Sequence, residues 1–116
     1  MKIARLLIPV TAACGLIAAA SALAADPGDP IAGKGKTTMC AGCHGIGLYR
    51  TVFPEVYHVP KLGGQHAAYI VKALQEYKAG NRSHPTMRAI AAGLSDKDMA
   101  DLAAYYASDA MKSVAK

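Results

Sequence analysis

Three observations predict an all-α fold for this chain. Apolar residues recur at helical spacing in two stretches, Ile70, Ala73, Leu74 and Tyr77 in one and Met99, Leu102, Ala103, Tyr106 and Ala110 in the other. Glycine and proline punctuate the chain between them, and no run reads convincingly as a strand. Finally, Cys40-Ala41-Gly42-Cys43-His44 sets two thiols three positions apart with a histidine directly after the second, the attachment pattern of a c-type haem. The architecture to expect is helices and loops wrapped around one covalently attached haem.

The elements follow in order. Residues 1–25 read as a signal peptide: Lys2 and Arg5 form a positive start, Leu6 to Ala20 is apolar, and Ala22-Leu23-Ala24 is a small-residue cleavage pattern. Cleavage after Ala24 or Ala25 leaves residues 26–116 as a single domain. The rival is an uncleaved span, since Leu6 to Ala25 carries no charge and is long enough to cross a bilayer. Its alanine content and Pro9 make that span weakly hydrophobic, so export with cleavage is preferred. Cys14 does not read as a lipid-anchor site, because no leucine sits three positions before it. Asp29-Pro30 is an N-cap followed by proline at the first helical position, which predicts a helix from Pro30 to Met39 leading to Cys40. Gly33 and Gly35 lower its propensity, a loss that close approach of another helix would explain. From Gly45 to Gly64 glycine and proline mark a long loop suited to wrapping a haem face. A helix is predicted over Gln65 to Ala79, stopped by Gly80-Asn81. Arg82 to Thr86 is a short loop, and Met87 to Ala92 a short helix ending at Gly93. Ser95 with Asp98 three positions on opens the last helix as a capping-box variant.

Composition narrows the function. The chain has 116 residues, with thirteen Lys plus Arg against eight Asp plus Glu. Loss of Lys2 and Arg5 with the leader leaves eleven against eight, or +3, and two ionised haem propionates bring the total to about +1, too little for a nucleic-acid footprint. Loss of Cys14 leaves only Cys40 and Cys43, both committed to haem, so an oxidising compartment poses no difficulty. There is no Trp, and Phe53 is the single Phe. A domain of about ninety residues is then near the size where a core is only just adequate. Haem supplies an apolar slab that these side chains do not, and the apoprotein is expected to be largely unfolded.

The haem motif follows from chemistry. Each cysteine adds across one haem vinyl group, the spacing matches the separation of the vinyls, and His44 falls under the ring where it ligates iron. A structural zinc site needs four ligands, and no second cysteine pair exists. A thioredoxin-like pair needs a βαβ context, which the sequence lacks. Gly42, Gly45 and Gly47 form no nucleotide fingerprint, and no general base or nucleophile stands out.

Candidates for the second axial position are Met87, Met99, Met111, His58, His66 and His84. Met39 neighbours Cys40 on the wrong side of the ring. Met99 falls in the apolar stripe of the last helix, where methionine is ordinary core filler, and Met111 lies near the terminus. Met87 follows the stiff His84-Pro85-Thr86 loop and stands outside any apolar stripe. It is the preferred ligand, with His84 its main rival. Methionine sulfur raises the potential relative to bis-histidine ligation. A carbonyl or carboxylate should orient His44. The Pro60 carbonyl, free of any helical donor, is one possibility, and an ordinary turn proline is the other.

These residues resemble the class I cytochromes c of the small bacterial branch, and the chain is similar to one half of the two-haem periplasmic cytochromes. The resemblance runs through Gly33, Cys40 to His44, Pro60-Lys61-Leu62-Gly63-Gly64-Gln65, Tyr69-Ile70, Leu74, Tyr77, Met87-Arg88 and Leu102-Ala103-Ala104-Tyr105-Tyr106. It implies thioether bonds at Cys40 and Cys43, iron ligation by His44 and Met87, and a Pro60 carbonyl bonded to His44. It also implies that the first and last helices cross, with Gly33 making room for Tyr105 or Tyr106. Tyr49 to His58 departs from the family's minimal pattern in length and aromatic content.

The function so implied is electron transfer by one His/Met haem c between periplasmic or membrane redox partners. No enzymatic activity, nucleic acid or small-molecule substrate is expected, and the protein is expected to be a monomer. Two alternatives stay open: a haem enzyme or a gas or peroxide sensor with open iron, and a fixed cytochrome subunit of a dehydrogenase or oxidase complex.

Overall fold

The computed structural model describes residues 27–108 apart from Glu55. The leader reading of residues 1–25, Cys14, Ala110 and Met111 lie outside the described residues. Among the described residues five helices and one two-stranded ladder follow in the order α1 (Pro30–Gly35), α2 (Thr38–His44), β1 (Arg50–Thr51), β2 (Tyr57–His58), α3 (Ala67–Ala79), α4 (Pro85–Ala92) and α5 (Asp96–Ala107). The all-α class holds.

The first helix begins as expected. The Asp29 carboxylate accepts the Ile31 N–H at 2.8 Å, and Pro30 occupies a position whose N–H would be orphaned anyway. It does not run on to Met39. It ends at Gly35, and a turn at Lys36-Thr37 starts α2 afresh. Nothing lies within 4 Å of where a Gly35 Cβ would stand, so no packing offsets that glycine's low propensity. Thr37 Oγ1 then donates to the Lys34 carbonyl at 2.9 Å and closes the turn. The Cys-x-x-Cys-His segment therefore has a helix of its own.

Gly33 is different. A Cβ there would lie 2.0 Å from the Asp101 carbonyl oxygen and 2.9 Å from Tyr105 Cβ. The first and last helices do cross at this glycine, with Tyr105 as the adjoining aromatic, but the tightest neighbour is the α5 backbone. At the crossing Asp101 is buried, 1% exposed. Its carboxylate accepts the Asp29 N–H at 2.7 Å, Lys36 Nζ at 2.7 Å and Lys97 Nζ at 2.6 Å. Lys36 also pairs with Asp98 at 2.7 Å. The Lys36 contact above all, then Lys97 and the Asp29 amide, holds the Asp101 carboxyl well below the usual carboxylate range. Asp98 is held low as well, by Lys36 first and Ser95 next.

The Gly45 to Gly64 loop is not strand-free. Arg50 pairs with His58 and Thr51 with Tyr57 in an antiparallel ladder. The Val59 N–H donates to the Tyr49 carbonyl at 2.9 Å beyond it, and Thr51 Oγ1 donates to the Phe53 carbonyl at 2.8 Å inside the hairpin. These local bonds satisfy backbone that a free loop would leave to water.

Helix α3 starts at Ala67, later than the predicted Gln65, because Gln65 closes a turn on the Leu62 carbonyl at 3.0 Å and its side chain accepts the His66 N–H at 2.9 Å. It stops at Gly80, which adopts φ 85°, a left-handed cap that suits glycine. Helix α4 starts at Pro85, ahead of the predicted Met87, and α5 opens on the expected capping box between Ser95 and Asp98.

The core is thin. Ile70, Leu102, Ala103 and Tyr106 form its centre, with Cys40, Leu62, Leu74 and Leu94 packed against it. On the α2–α3 connection Leu48, Val52, Phe53 and Val56 are exposed. Such a core leaves apolar surface for a cofactor to cover.

Two predictions follow from the crossing. Gly33→Ala forces α1 off α5 and should lower stability by about 3 kcal/mol, the upper end of overpacking costs, read as a fall in the thermal midpoint. Because the Asp98 and Asp101 pKa values lie below their unfolded ones, they stabilise the fold fully above the ordinary carboxylate range and progressively less as pH drops through it. Urea unfolding of Asp101→Asn should therefore show a lower midpoint at neutral pH and a flatter fall from about pH 5 to about pH 2 than the parent protein.

Candidate haem-binding site

Helix α2 places Cys40, Cys43 and His44 at i, i+3 and i+4, neighbouring positions on one helix face. Cys40 and Cys43 are free thiols, the second exposed and the first half-buried. Burial pushes up both the Cys40 thiol and the Tyr106 hydroxyl, and Cys40 packs against the core cluster that contains Tyr106. This tie from α5 to the first attachment cysteine was not read from the sequence.

His44 ends α2, and its Nδ1 lies 2.7 Å from the Pro60 carbonyl oxygen. A carbonyl can only accept, so Nδ1 carries the proton. The lone pair of the neutral ring then sits on Nε2, the arrangement of a metal-ligating histidine oriented by a carbonyl. Sixteen residues separate the partners. Of the two readings left open for Pro60, the structure contains the carbonyl contact.

His84 has the opposite arrangement. Its Nδ1 accepts the Met87 N–H at 3.2 Å, so the proton of the neutral ring is on Nε2. That nitrogen is buried and has no hydrogen-bond partner among the described residues. With its lone pair committed to Met87 and its second nitrogen sealed and protonated, the His84 ring is unsuited to ligate iron. His58 and His66 are exposed. Met99 is fully buried in the core, and Met39 is 69% exposed beside Cys40. Met87 is half-buried in the first turn of α4. It lies on a different helix from His44, and no hydrogen bond joins the two.

The donor set fits a haem c. Two free thiols are available to become thioethers, one imidazole has its tautomer fixed for metal, and one thioether side chain stands apart from the packed core. Among the described residues no group of three or more His, Cys, Asp or Glu is gathered to hold a metal ion. Two thioethers, one imidazole and one methionine sulfur are the donors a haem c takes from a protein.

A cytochrome c family profile matches residues 32–108. Cytochrome c4 of Pseudomonas aeruginosa is 36% identical over 107 residues, which cover 92% of this chain and 49% of that protein. Cytochrome c-554(548) of Halomonas halodenitrificans is 40% identical over 87 residues, covering 70% of this chain and 96% of that protein. A thiosulfate dehydrogenase electron acceptor of Stutzerimonas stutzeri is 36% identical over 103 residues, 83% of this chain and 44% of that protein. The chain thus spans about half the length of the cytochrome c4 relatives it matches.

The attachment chemistry is testable. Cys40→Ala/Cys43→Ala should lose haem staining on a denaturing gel, and without haem it should show weak helical circular dichroism and no cooperative melt. Native-like helicity with a cooperative melt would mean that the core stands without the cofactor.

Proposed function

The chain belongs to the cytochrome c family, and we propose that it works as a one-electron carrier in which Cys40 and Cys43 hold haem c and His44 and Met87 bind its iron. When bound, the haem supplies an iron that alternates between two oxidation states. The single observation that carries this reading is the 2.7 Å contact between His44 Nδ1 and the Pro60 carbonyl. It leaves His44 Nε2 as a ligand atom and fixes the ring so that little need move when the oxidation state changes.

The other residues take parts consistent with that role. Cys40 and Cys43 would anchor the haem to α2, Pro60 orients His44, and Met87 on α4 would supply the second ligand. Iron held by both His44 and Met87 would offer no open site to a substrate, which would separate a carrier from an enzyme or sensor. Met87 is favoured over His84 because the His84 tautomer and burial count against ligation.

In the same proposal residues 1–25 are an export leader, the mature domain is 26–116, and the protein acts as a monomer in the periplasm. Its partners are redox proteins that dock on it to give and take single electrons. That one relative is named a thiosulfate dehydrogenase electron acceptor supports a dehydrogenase as donor class.

Visible and near-infrared spectra of the purified mature protein test the ligation. Wild type should show the sulfur-to-iron charge-transfer band when oxidised and bind no carbon monoxide when reduced. Met87→Ala should lose the band and bind carbon monoxide. A wild type that already lacks the band and binds carbon monoxide would put the enzyme or sensor reading first.

A further inference from the structure

Helix α4 begins with an unusual cap. Ser, Thr, Asp and Asn are the favoured N-cap residues, yet here a histidine ring accepts the N–H of the third helical residue, Met87. Pro85 has no N–H, and the Arg88 N–H reaches the His84 carbonyl at 2.9 Å. His84 Nδ1 thus takes a first-turn amide that the helix itself leaves without a partner. What a smaller cap lacks is reach. The His84 ring packs edge-on with Tyr57 at 5.5 Å between centroids and 78° between planes, and with Tyr77 at 6.3 Å and 77°. Tyr77 is in turn covered by the Arg82 guanidinium at 4.8 Å. The far nitrogen, Nε2, is buried between these elements without a polar partner. A buried donor left unpaired is unfavourable by itself, so the packing of β2 and α3 against the ring must hold it there.

We propose that His84 is a positioning residue for the iron ligand: clamped between Tyr57 and Tyr77, it pins the backbone of Met87 at the start of α4 and so sets how firmly the Met87 sulfur is presented. This rests on the reading of Met87 as an axial ligand. It gives the Tyr49–His58 segment, which departs from the minimal family pattern, a purpose. Its second strand delivers Tyr57 to the ring that caps Met87. The coupling runs from hairpin to cap to ligand through contiguous contacts of 5.5 Å and 3.2 Å.

Displacement of Met87 by added imidazole in the oxidised holoprotein measures the effect, because the intruding ligand competes with the sulfur for iron. Losing an N-cap should make imidazole bind about five-fold more tightly in His84→Ala and weaken the charge-transfer band. His84→Asn, whose side-chain oxygen can cap in place of Nδ1 but does not reach Tyr57 and Tyr77, should bind imidazole with an affinity between those of His84→Ala and wild type. Tyr57→Leu should shift imidazole binding in the same direction, and should add nothing in the His84→Ala background. It also carries the test if His84→Ala does not accumulate. Ser95→Ala, which removes the cap of α5 instead, should lower thermal stability and leave imidazole affinity unchanged, so general loosening is separated from positioning. A wild-type band with equal imidazole affinity in wild type, His84→Ala and Tyr57→Leu would overturn the proposal while leaving Met87 ligation intact. A wild type without the band would overturn the ligation reading first, and this proposal with it.

Discussion

The contact between the backbones of α1 and α5 at Gly33 and Asp101 governs most of what lies around it. No side chain fits between them, since a Cβ at Gly33 would stand 2.0 Å from the Asp101 carbonyl oxygen. That closeness lets one carboxylate bind three parts of the chain at once: the Asp29 amide ahead of α1, Lys36 in the turn before α2, and Lys97 one turn back on α5. Because Lys36 sits two residues before α2, the crossing also fixes where that helix starts. The same helix α5 carries Tyr106 in the core cluster against which Cys40 packs. The attachment segment is therefore registered against the core before any cofactor is considered.

Two histidines show how a hydrogen-bond partner decides a residue's chemistry. Both His44 and His84 use Nδ1, one toward a carbonyl and the other toward an amide N–H. The first partner can only accept and the second can only donate, so the two rings carry their protons on opposite nitrogens. His44 is left with a ligand atom, while His84 is left with a sealed donor and a structural task. Composition treats them alike. The partner across each bond separates them.

Local chemistry was legible along the chain. The Asp29-Pro30 start, the Gly80 stop, the Ser95–Asp98 capping box and the apolar stripe of Met99, Leu102, Ala103 and Tyr106 depend on residues within one or two turns of each other, and each stands where its pattern places it. The break of the first helix at Gly35 was harder to place, because Gly33 and Gly35 look equivalent in sequence and only one has a helix against it. The short ladder of Arg50–Thr51 with Tyr57–His58 escaped for another reason: two-residue strands are too brief to show a period. Helix α4 was expected to open at Met87 but opens at Pro85 with His84 as its cap, and histidine is not a residue that announces one.

By itself, then, the sequence determined the class of cofactor, its attachment points and the helical character of the fold, since these follow from a five-residue motif and from periodicities contained in single elements. Tertiary structure decided the rest. It alone set the tautomers of His44 and His84, made Asp101 a buried hub, and distinguished half-buried Met87 from core-filling Met99. The physical reason is distance along the chain. The His44 proton and the Asp101 carboxylate depend on groups 16 and 72 residues away, and no local pattern encodes where folding will bring them; the His84 partner is only three residues on, but the ring is held there by Tyr57 and Tyr77 from other elements.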